Sequence, residues 1–374
     1  MFLSRLDIQG FKSFPQRVRV DFGPGITAVV GPNGSGKTSV LQGIHSLTQL
    51  AVVVGGDPDV ALAKLTEFTS IGGEDEYFAM RMEGSRSAFG PYSIEVDRKE
   101  PQQVLGILRA NEPDPAGVWR VASNYHNGQW GANHRHQQLL PADAKRFDAT
   151  AFIRFSAGQL ATPTLIRTDP PQITKEGAGL ASTLRVIKSK DESRFKAIEK
   201  AFCQVIPGAT GIRTDIDRVP GSEVYGDILL VDYRGVKGVR ANHVSSGTLF
   251  ALGLLTVMMR PDSANVILLD DLDHGLHPKA QMELIQVFRN LIEQNPELQI
   301  IATSHSPYIL SKLEWNEVWV TGLRDDGSAT CARLDRHPEV ERWREAMTPG
   351  EFWSHAGDDW VKKLDKPQPA TAAP

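Results

Sequence analysis

Residues 31–39 read Gly31-Pro32-Asn33-Gly34-Ser35-Gly36-Lys37-Thr38-Ser39 and match G-x-x-x-x-G-K-[ST] in full. Glycines at these positions let consecutive backbone N–H groups curl around a β-phosphate, with a helix N-terminus behind them. Lys37 is placed to bridge β- and γ-phosphates, and the Thr38 hydroxyl to ligate Mg²⁺. The chemistry implied is the binding of a nucleoside triphosphate.

Further positions downstream could complete such a site. Asp270 closes the apolar run VILLD, where a carboxylate reaches Mg²⁺ directly or through water. Asp271, next to it, is placed to orient the water that attacks a γ-phosphate. Ser245-Ser246-Gly247-Thr248 opens an apolar helix and is suited to cap it. The same helix N-terminus is an anion site, and in a dimer it could close over the γ-phosphate held by a second copy's loop. His305 follows the run IIATS, at the carboxyl edge where sheets of this kind bind ligands.

Placing these groups requires a set of strands and helices that periodicity locates. Residues 2–8 and 17–22 alternate polar and apolar like half-buried strands, and ITAVV at 26–30 reads as a buried one. A helix is expected from Lys37 to about Gln49, so strand, glycine loop and helix follow in the required order. YFAMRMEG and YSIEV suggest two more strands, whereas 100–180 is rich in Pro, Gly, Asn and His and shows little periodicity. Within it, His126, His134 and His136 lack the spacing of a helical metal pair and read as loop composition. Residues 178–204 are expected to be helical, 227–233 a strand, 248–260 an apolar helix and 265–270 a buried strand. Pro278 marks a helix start, 298–303 another strand, and Arg324–Gly327 a hairpin turn. The tail KPQPATAAP reads as low-complexity.

Of the 374 residues, 41% are hydrophobic and 23% charged, and the formal net charge is −4. No global field draws such a chain to nucleic acid, so DNA binding would need a local basic patch. Cys203 and Cys331 stand apart without a CxxC or Cys/His cluster, which disfavours a disulfide framework or zinc site and suits a reducing compartment. The N-terminus lacks the apolar core of a signal peptide, and LFALGLLTVMM at 249–259 is too short to span a bilayer. The expectation is a cytoplasmic protein without a membrane partner.

The phosphate loop, the serine–glycine turn, the acidic strand end and the histidine, in that order, resemble the ATP-binding-cassette superfamily. The phrases LDIQGFKSF, SSGTLFALGLL, LLDDLDHGLHP and ATSHSPYIL resemble its soluble SMC, RecF and OLD-nuclease-like group, and among these compact bacterial ATPases often found in anti-phage defence. The likeness is strong over about 1–50 and 240–312. It implies an α/β fold: an ABC-ATPase head with a P-loop and a mixed sheet flanked by helices, and an irregular inserted region. The implied organisation is an N-terminal head part at 1–100, an insertion and helical lobe at 101–226, a C-terminal head part at 227–345 and an extension at 346–374.

The resemblance further implies ATP and Mg²⁺ as cofactors. It assigns P-loop roles to Lys37 and Thr38, signature roles to Ser245 and Gly247, the magnesium aspartate to Asp270 and the switch histidine to His305. Asp273 and His277 fall in the group's dimer-interface stretch. Three departures stand out. Asp271 replaces the usual glutamate, one methylene longer, which implies slow hydrolysis; residues 67–79 offer no Q-loop glutamine; and the 69 residues after His305 hold neither a TOPRIM nuclease constellation nor long coiled arms.

The leading functional reading is an ATPase switch that forms a homodimer, or a higher homo-oligomer, around Mg·ATP and controls a separately encoded effector. The alternative is a RecF-like DNA-binding repair or maintenance ATPase, for which Arg185, Lys188, Lys190, Arg194, Lys196 and Lys200 could touch phosphates. Their interleaving with Asp191, Glu192 and Glu199 favours a solvated helix face. A transporter motor is a third, weaker reading.

Overall fold

The computed structural model describes residues 2–54, 78–86, 90–100, 103–110, 118–126, 129–133, 150–166, 172–219, 223–260 and 264–364. The chain opens with β1 (Phe2–Gln9), β2 (Val18–Asp21), β3 (Ile26–Val30) and helix α1 (Lys37–Val54). There follow β4 (Phe78–Arg86), β5 (Gly90–Glu100), β6 (Gln103–Ala110), β7 (Val118–His126) and β8 (Gln129–Asn133). Apart from β3, these strands form one antiparallel sheet in the order β2-β1-β4-β5-β6-β7-β8. Alternation explains its buried face: Leu6 and Ile8, Met80 and Met82, and Ile94 and Val96 turn inward. Outward positions pair charges, as in Arg5 with Asp21 at 2.7 Å and Arg81 with Glu95 at 2.9 Å.

β6, β7 and β8 lie in the stretch 100–180, which periodicity alone leaves without elements. Hairpin pairing is made by backbone groups, so these strands need no strong apolar pattern of their own. The tail KPQPATAAP, the histidines at 134 and 136, and nearly all of 67–79 fall outside the described residues.

The chain continues with β9 (Thr150–Ile153), α2 (Ala157–Ala161), β10 (Thr164–Leu165), α3 (Leu180–Lys190), α4 (Glu192–Val205), β11 (Ala209–Arg218), β12 (Tyr225–Tyr233) and β13 (Val236–Arg240). β10, β12 and β11 form a small antiparallel sheet, joined by β13 along β12. Asp191 separates the two helices by capping α4, its carboxylate accepting from the Arg194 N–H at 3.0 Å.

The remaining elements are α5 (Ser246–Met258), β14 (Val266–Leu269), α6 (Pro278–Gln294), β15 (Gln299–Thr303), α7 (Pro307–Leu310), β16 (Val318–Leu323), β17 (Ala329–Arg333), α8 (Val340–Trp343), α9 (Pro349–Ala356) and α10 (Val361–Leu364). The central sheet runs β17-β16-β3-β15-β14-β9, parallel except for the β16–β17 hairpin. Its inner strands are continuous apolar runs because both faces are covered. Ile26, Ala28, Ile267, Leu269, Ile300 and Ala302 face one core with α3, α4, α5 and α6. Val29, Val266, Leu268 and Ile301 face the other, with Leu41, Ile44 and Leu47 of α1 between them and the antiparallel sheet. α5 is buried at every position from Gly247 to Met258, which accounts for a helix apolar all round.

The boundaries expected at 100 and 226 cut through sheets: the first lies inside the β5–β6 hairpin and the second inside β12. β9, within 101–226, is a strand of the central sheet. Among the described residues, no helix is long and apolar enough to cross a membrane.

Candidate nucleotide site

Parallel pairing brings the carboxyl ends of β3, β15, β14 and β9 to one edge, with Leu269 level with Ala302 and Ile153. Every residue that follows these strands therefore emerges on the ligand-binding side. Gly31–Gly36 connects β3 to α1 there. Pro32, Asn33 and Gly34 form its exposed crest, while Gly31, Ser35, Gly36, Lys37 and Ser39 are buried and Thr38 is half-buried. Ser35 Oγ donates to the Pro32 carbonyl at 2.7 Å and also bonds the Thr321 hydroxyl of β16, tying the loop to the neighbouring strand.

Gly36 has φ +90°, and a Cβ there would stand 2.6 Å from Cζ of Phe14. The opening GFKSF phrase thus has a local purpose: Phe11 and Phe14 pair by a β-bridge and are fully buried, flooring the loop. Lys37 Nζ donates to the carbonyls of Gly31 at 3.0 Å and Pro32 at 2.8 Å. Burial holds this ammonium below its ordinary pKa, while Asp271, Asp358, Asp270 and Asp273 pull it upward.

Asp270 is buried at the end of β14. Its Oδ1 accepts from the hydroxyls of Thr38 at 2.9 Å and Thr303 at 2.8 Å. A hydroxyl and a carboxylate side by side are an all-oxygen donor set of the kind Mg²⁺ takes, so Thr38 and Asp270 could hold that ion. Asp271 is exposed and sits at φ +54°, in the left-handed region that Asp and Asn tolerate best among side chains. Its N–H donates to Thr303 Oγ1 at 2.8 Å, so one threonine holds both aspartates.

His305 is exposed at the end of β15. Its N–H donates to Asp273 Oδ1 at 3.1 Å, and the Ser304 hydroxyl donates to the same oxygen at 2.7 Å. Asp273, expected at a dimer interface, is thus occupied within its own chain in setting the histidine loop. His277 caps α6, its Nδ1 accepting from the Lys279 N–H at 3.3 Å.

Ser245 caps α5 as expected, its Oγ accepting from the Thr248 N–H at 3.3 Å, and it is exposed. Gly247 packs on the loop that follows Asp271: a Cβ at 247 would stand 2.0 Å from the Gly275 carbonyl oxygen. Backbone meets backbone here, so no side chain can yield. We expect Gly247→Ala to destabilise the fold by about 1–3 kcal/mol, read as a lower denaturation midpoint, together with weaker ATP turnover. An unchanged midpoint would show that the approach relaxes freely.

Three neighbours of the site escape a reading of the sequence. Thr303 ends an apolar strand, and only its pairing beside β14 reveals the bond to Asp270. Arg154 follows a four-residue strand in a segment without periodicity; its Nε lies 3.6 Å from Asp270 Oδ2. Asp358, near the C-terminus, accepts from Trp353 Nε1 at 2.8 Å. Its carbonyl would stand 3.2 Å from a Cβ at Gly322, one residue past Thr321. Burial pushes its carboxyl pKa up, against the pull of the Trp353 bond, Lys37 and His305.

This edge, with its glycine loop and paired aspartates, defines a P-loop ATPase. The chain belongs to the family described as "AAA domain, putative AbiEii toxin, Type IV TA system", whose model matches residues 56–311. A second AAA-domain model matches residues 5–99. Over 45 residues the chain is 64% identical to the chromosome partition protein Smc of Bacillus subtilis and 57% identical to that of Chlorobaculum tepidum. These matches cover 12% of this chain and 4% of each relative.

Among solved structures, an SmcHead bound to the C-winged helix domain of ScpA aligns with a TM-score of 0.54 at 17% identity, covering 91% of this chain and 100% of that one. An Smc head with an extended coiled coil from Pyrococcus furiosus aligns with a TM-score of 0.53 at 14% identity, over 92% of this chain and 99% of that one. The fold is that of an SMC-type ABC-ATPase head, and the family match makes the chain an AAA-type ATPase.

Proposed function

We propose that this ATPase is a switch in which two copies close head to head around two Mg·ATP and so control a separately encoded effector in anti-phage defence. The observation that carries the reading is the exposure of both half-sites. The loop crest Pro32–Gly34, Asp271 and His305 face solvent, and so does Ser245 at the start of α5. An exposed helix N-terminus is complementary to phosphate, and a second copy can present it to the loop of the first.

In this reading the loop amides from Gly34 to Thr38 cradle the β-phosphate, and Lys37 turns from its carbonyls to bridge the β- and γ-phosphates. Thr38 and Asp270 would hold Mg²⁺, which would supply charge neutralisation for the phosphates. Asp271 orients the attacking water, and His305 donates to the γ-phosphate. An aspartate reaches less far than a glutamate, so the switch resets slowly. The family description names a toxin–antitoxin system, which supports a second protein as partner.

The DNA-maintenance alternative has weaker support. Arg185, Arg194 and Lys196 are ion-paired with Asp227, Asp191 and Glu192, and Lys188 lies 5.3 Å over the Phe195 ring. The test is solution mass by light scattering of the Asp271→Asn protein with Mg·ATP and with Mg·ADP. A dimer with ATP and a monomer with ADP is expected; a monomer in both conditions overturns the proposal.

A further inference from the structure

We propose that Arg154 is a phosphate-contacting residue of this site, bonding the terminal phosphate of a bound nucleoside triphosphate and thereby distinguishing it from the diphosphate. The inference rests on the nucleotide-site reading above and adds a residue and a selectivity to it.

Placement comes first. β9 runs parallel to β14 with Ile153 level with Leu269, and the Ile153 carbonyl accepts the Asp270 N–H at 3.3 Å. Arg154 and Asp270 therefore leave adjacent strands at the same height, on the edge that also carries Lys37 and Thr38. The backbone at this point is clamped: the Arg154 N–H donates to the Lys175 carbonyl and the Ser156 N–H to the Glu176 carbonyl, each at 2.9 Å. The arginine is thus a largely exposed side chain on a hydrogen-bonded backbone.

Its contact with Asp270 is poor as a structural ion pair. The separation is 3.6 Å and the arginine side chain is 67% exposed, so solvent screens the pair and it contributes little stability. The contact does place the guanidinium beside Oδ2, the carboxylate oxygen that Thr38 and Thr303 leave open. A guanidinium offers five N–H donors in a planar fork suited to phosphate oxygens, and one carboxylate oxygen engages few of them. Lys12, whose pKa burial and Arg154 both lower, is a like charge close enough to repel it. A cation beside the metal-binding carboxylate, weakly paired and within reach of a like charge, is suited to an arriving anion. The terminal phosphate brings that charge, and a diphosphate lacks it.

The experiment compares Mg·ATP and Mg·ADP affinities by competition with a fluorescent nucleotide. Arg154→Ala and Arg154→Gln are measured in the Asp271→Asn background, with Lys37→Ala alongside. Both Arg154 variants are expected to weaken ATP binding by about 10- to 100-fold, as loss of charge-assisted hydrogen bonds does, with ADP changed by less than about threefold. Arg154→Lys should recover part of the ATP affinity. Equal losses for ATP and ADP, or no loss for either, overturn the proposal. Lys37→Ala separates this failure from that of the site itself: if it too leaves both affinities intact, the nucleotide-site reading falls. The glutamine variant keeps the side-chain stem as far as Cδ and loses the guanidinium, so a loss confined to alanine reports packing and also overturns the proposal.

Discussion

Asp271→Asn is expected to lower ATP turnover by about two to four orders of magnitude, the usual loss when a general base is removed. ATP binding should stay within about threefold, because an interaction made only in the transition state affects rate and not ground-state affinity. Asparagine is the appropriate replacement on structural grounds. The backbone at 271 has φ +54°, which Asn accepts at least as readily as Asp, whereas alanine adds a strain of about 1–2 kcal/mol and confuses rate with folding. The Thr303 hydroxyl that receives the 271 N–H remains in place in the variant. The left-handed backbone also gives a physical reason for the shorter acid: among carboxylates, aspartate is the one that occupies this region readily. The measurement is steady-state phosphate release, paired with equilibrium ATP binding. Turnover equal to that of the unmodified chain would show that Asp271 does not orient the water.

Lys37→Ala is expected to weaken binding of ATP by about 100-fold or more, since it removes charge-assisted hydrogen bonds to two phosphates, and of ADP by about 10-fold, since only the β-phosphate contact is lost there. Much of the ammonium's desolvation is already met in the fold: Lys37 is buried and donates to two loop carbonyls. Its four acidic neighbours lose a nearby cation in the variant, which adds repulsion against an incoming polyphosphate. Equilibrium binding of a fluorescent nucleotide checks the result, and affinities within about threefold of the unmodified chain would remove Lys37 from the site. The denaturation midpoint is recorded with it, because Gly31 and Pro32 lose a hydrogen-bond donor.

Much of the architecture is legible locally. ITAVV before a glycine loop reads as a strand buried on two faces, and Ile26–Val30 is one. Residues 248–260 read as an apolar helix, though α5 begins two residues earlier, at Ser246, where the Ser245 cap sets the boundary. The strands at 103–133 are not legible, because their hydrogen bonds lie between neighbours and their residue order carries no strong alternation. The short strand β9 is hidden in the same way.

Residue order alone settles the phosphate loop, the acidic strand end, the capping serine and the α/β class, because each depends on spacing within one element. Tertiary pairing decides the rest. It sets Thr303 between Asp270 and Asp271, lays Phe14 beneath Gly36, presses Gly247 onto Gly275, and brings Arg154 and Asp358 to the rim. These partners are distant in the chain; the parallel register of β9, β14, β15 and β3 brings Thr303 and Arg154 to Asp270, and packing around that sheet brings the others. The serine–glycine turn shows the same division: its short-range role is a cap, and packing gives it a loop to rest on and a face open to solvent.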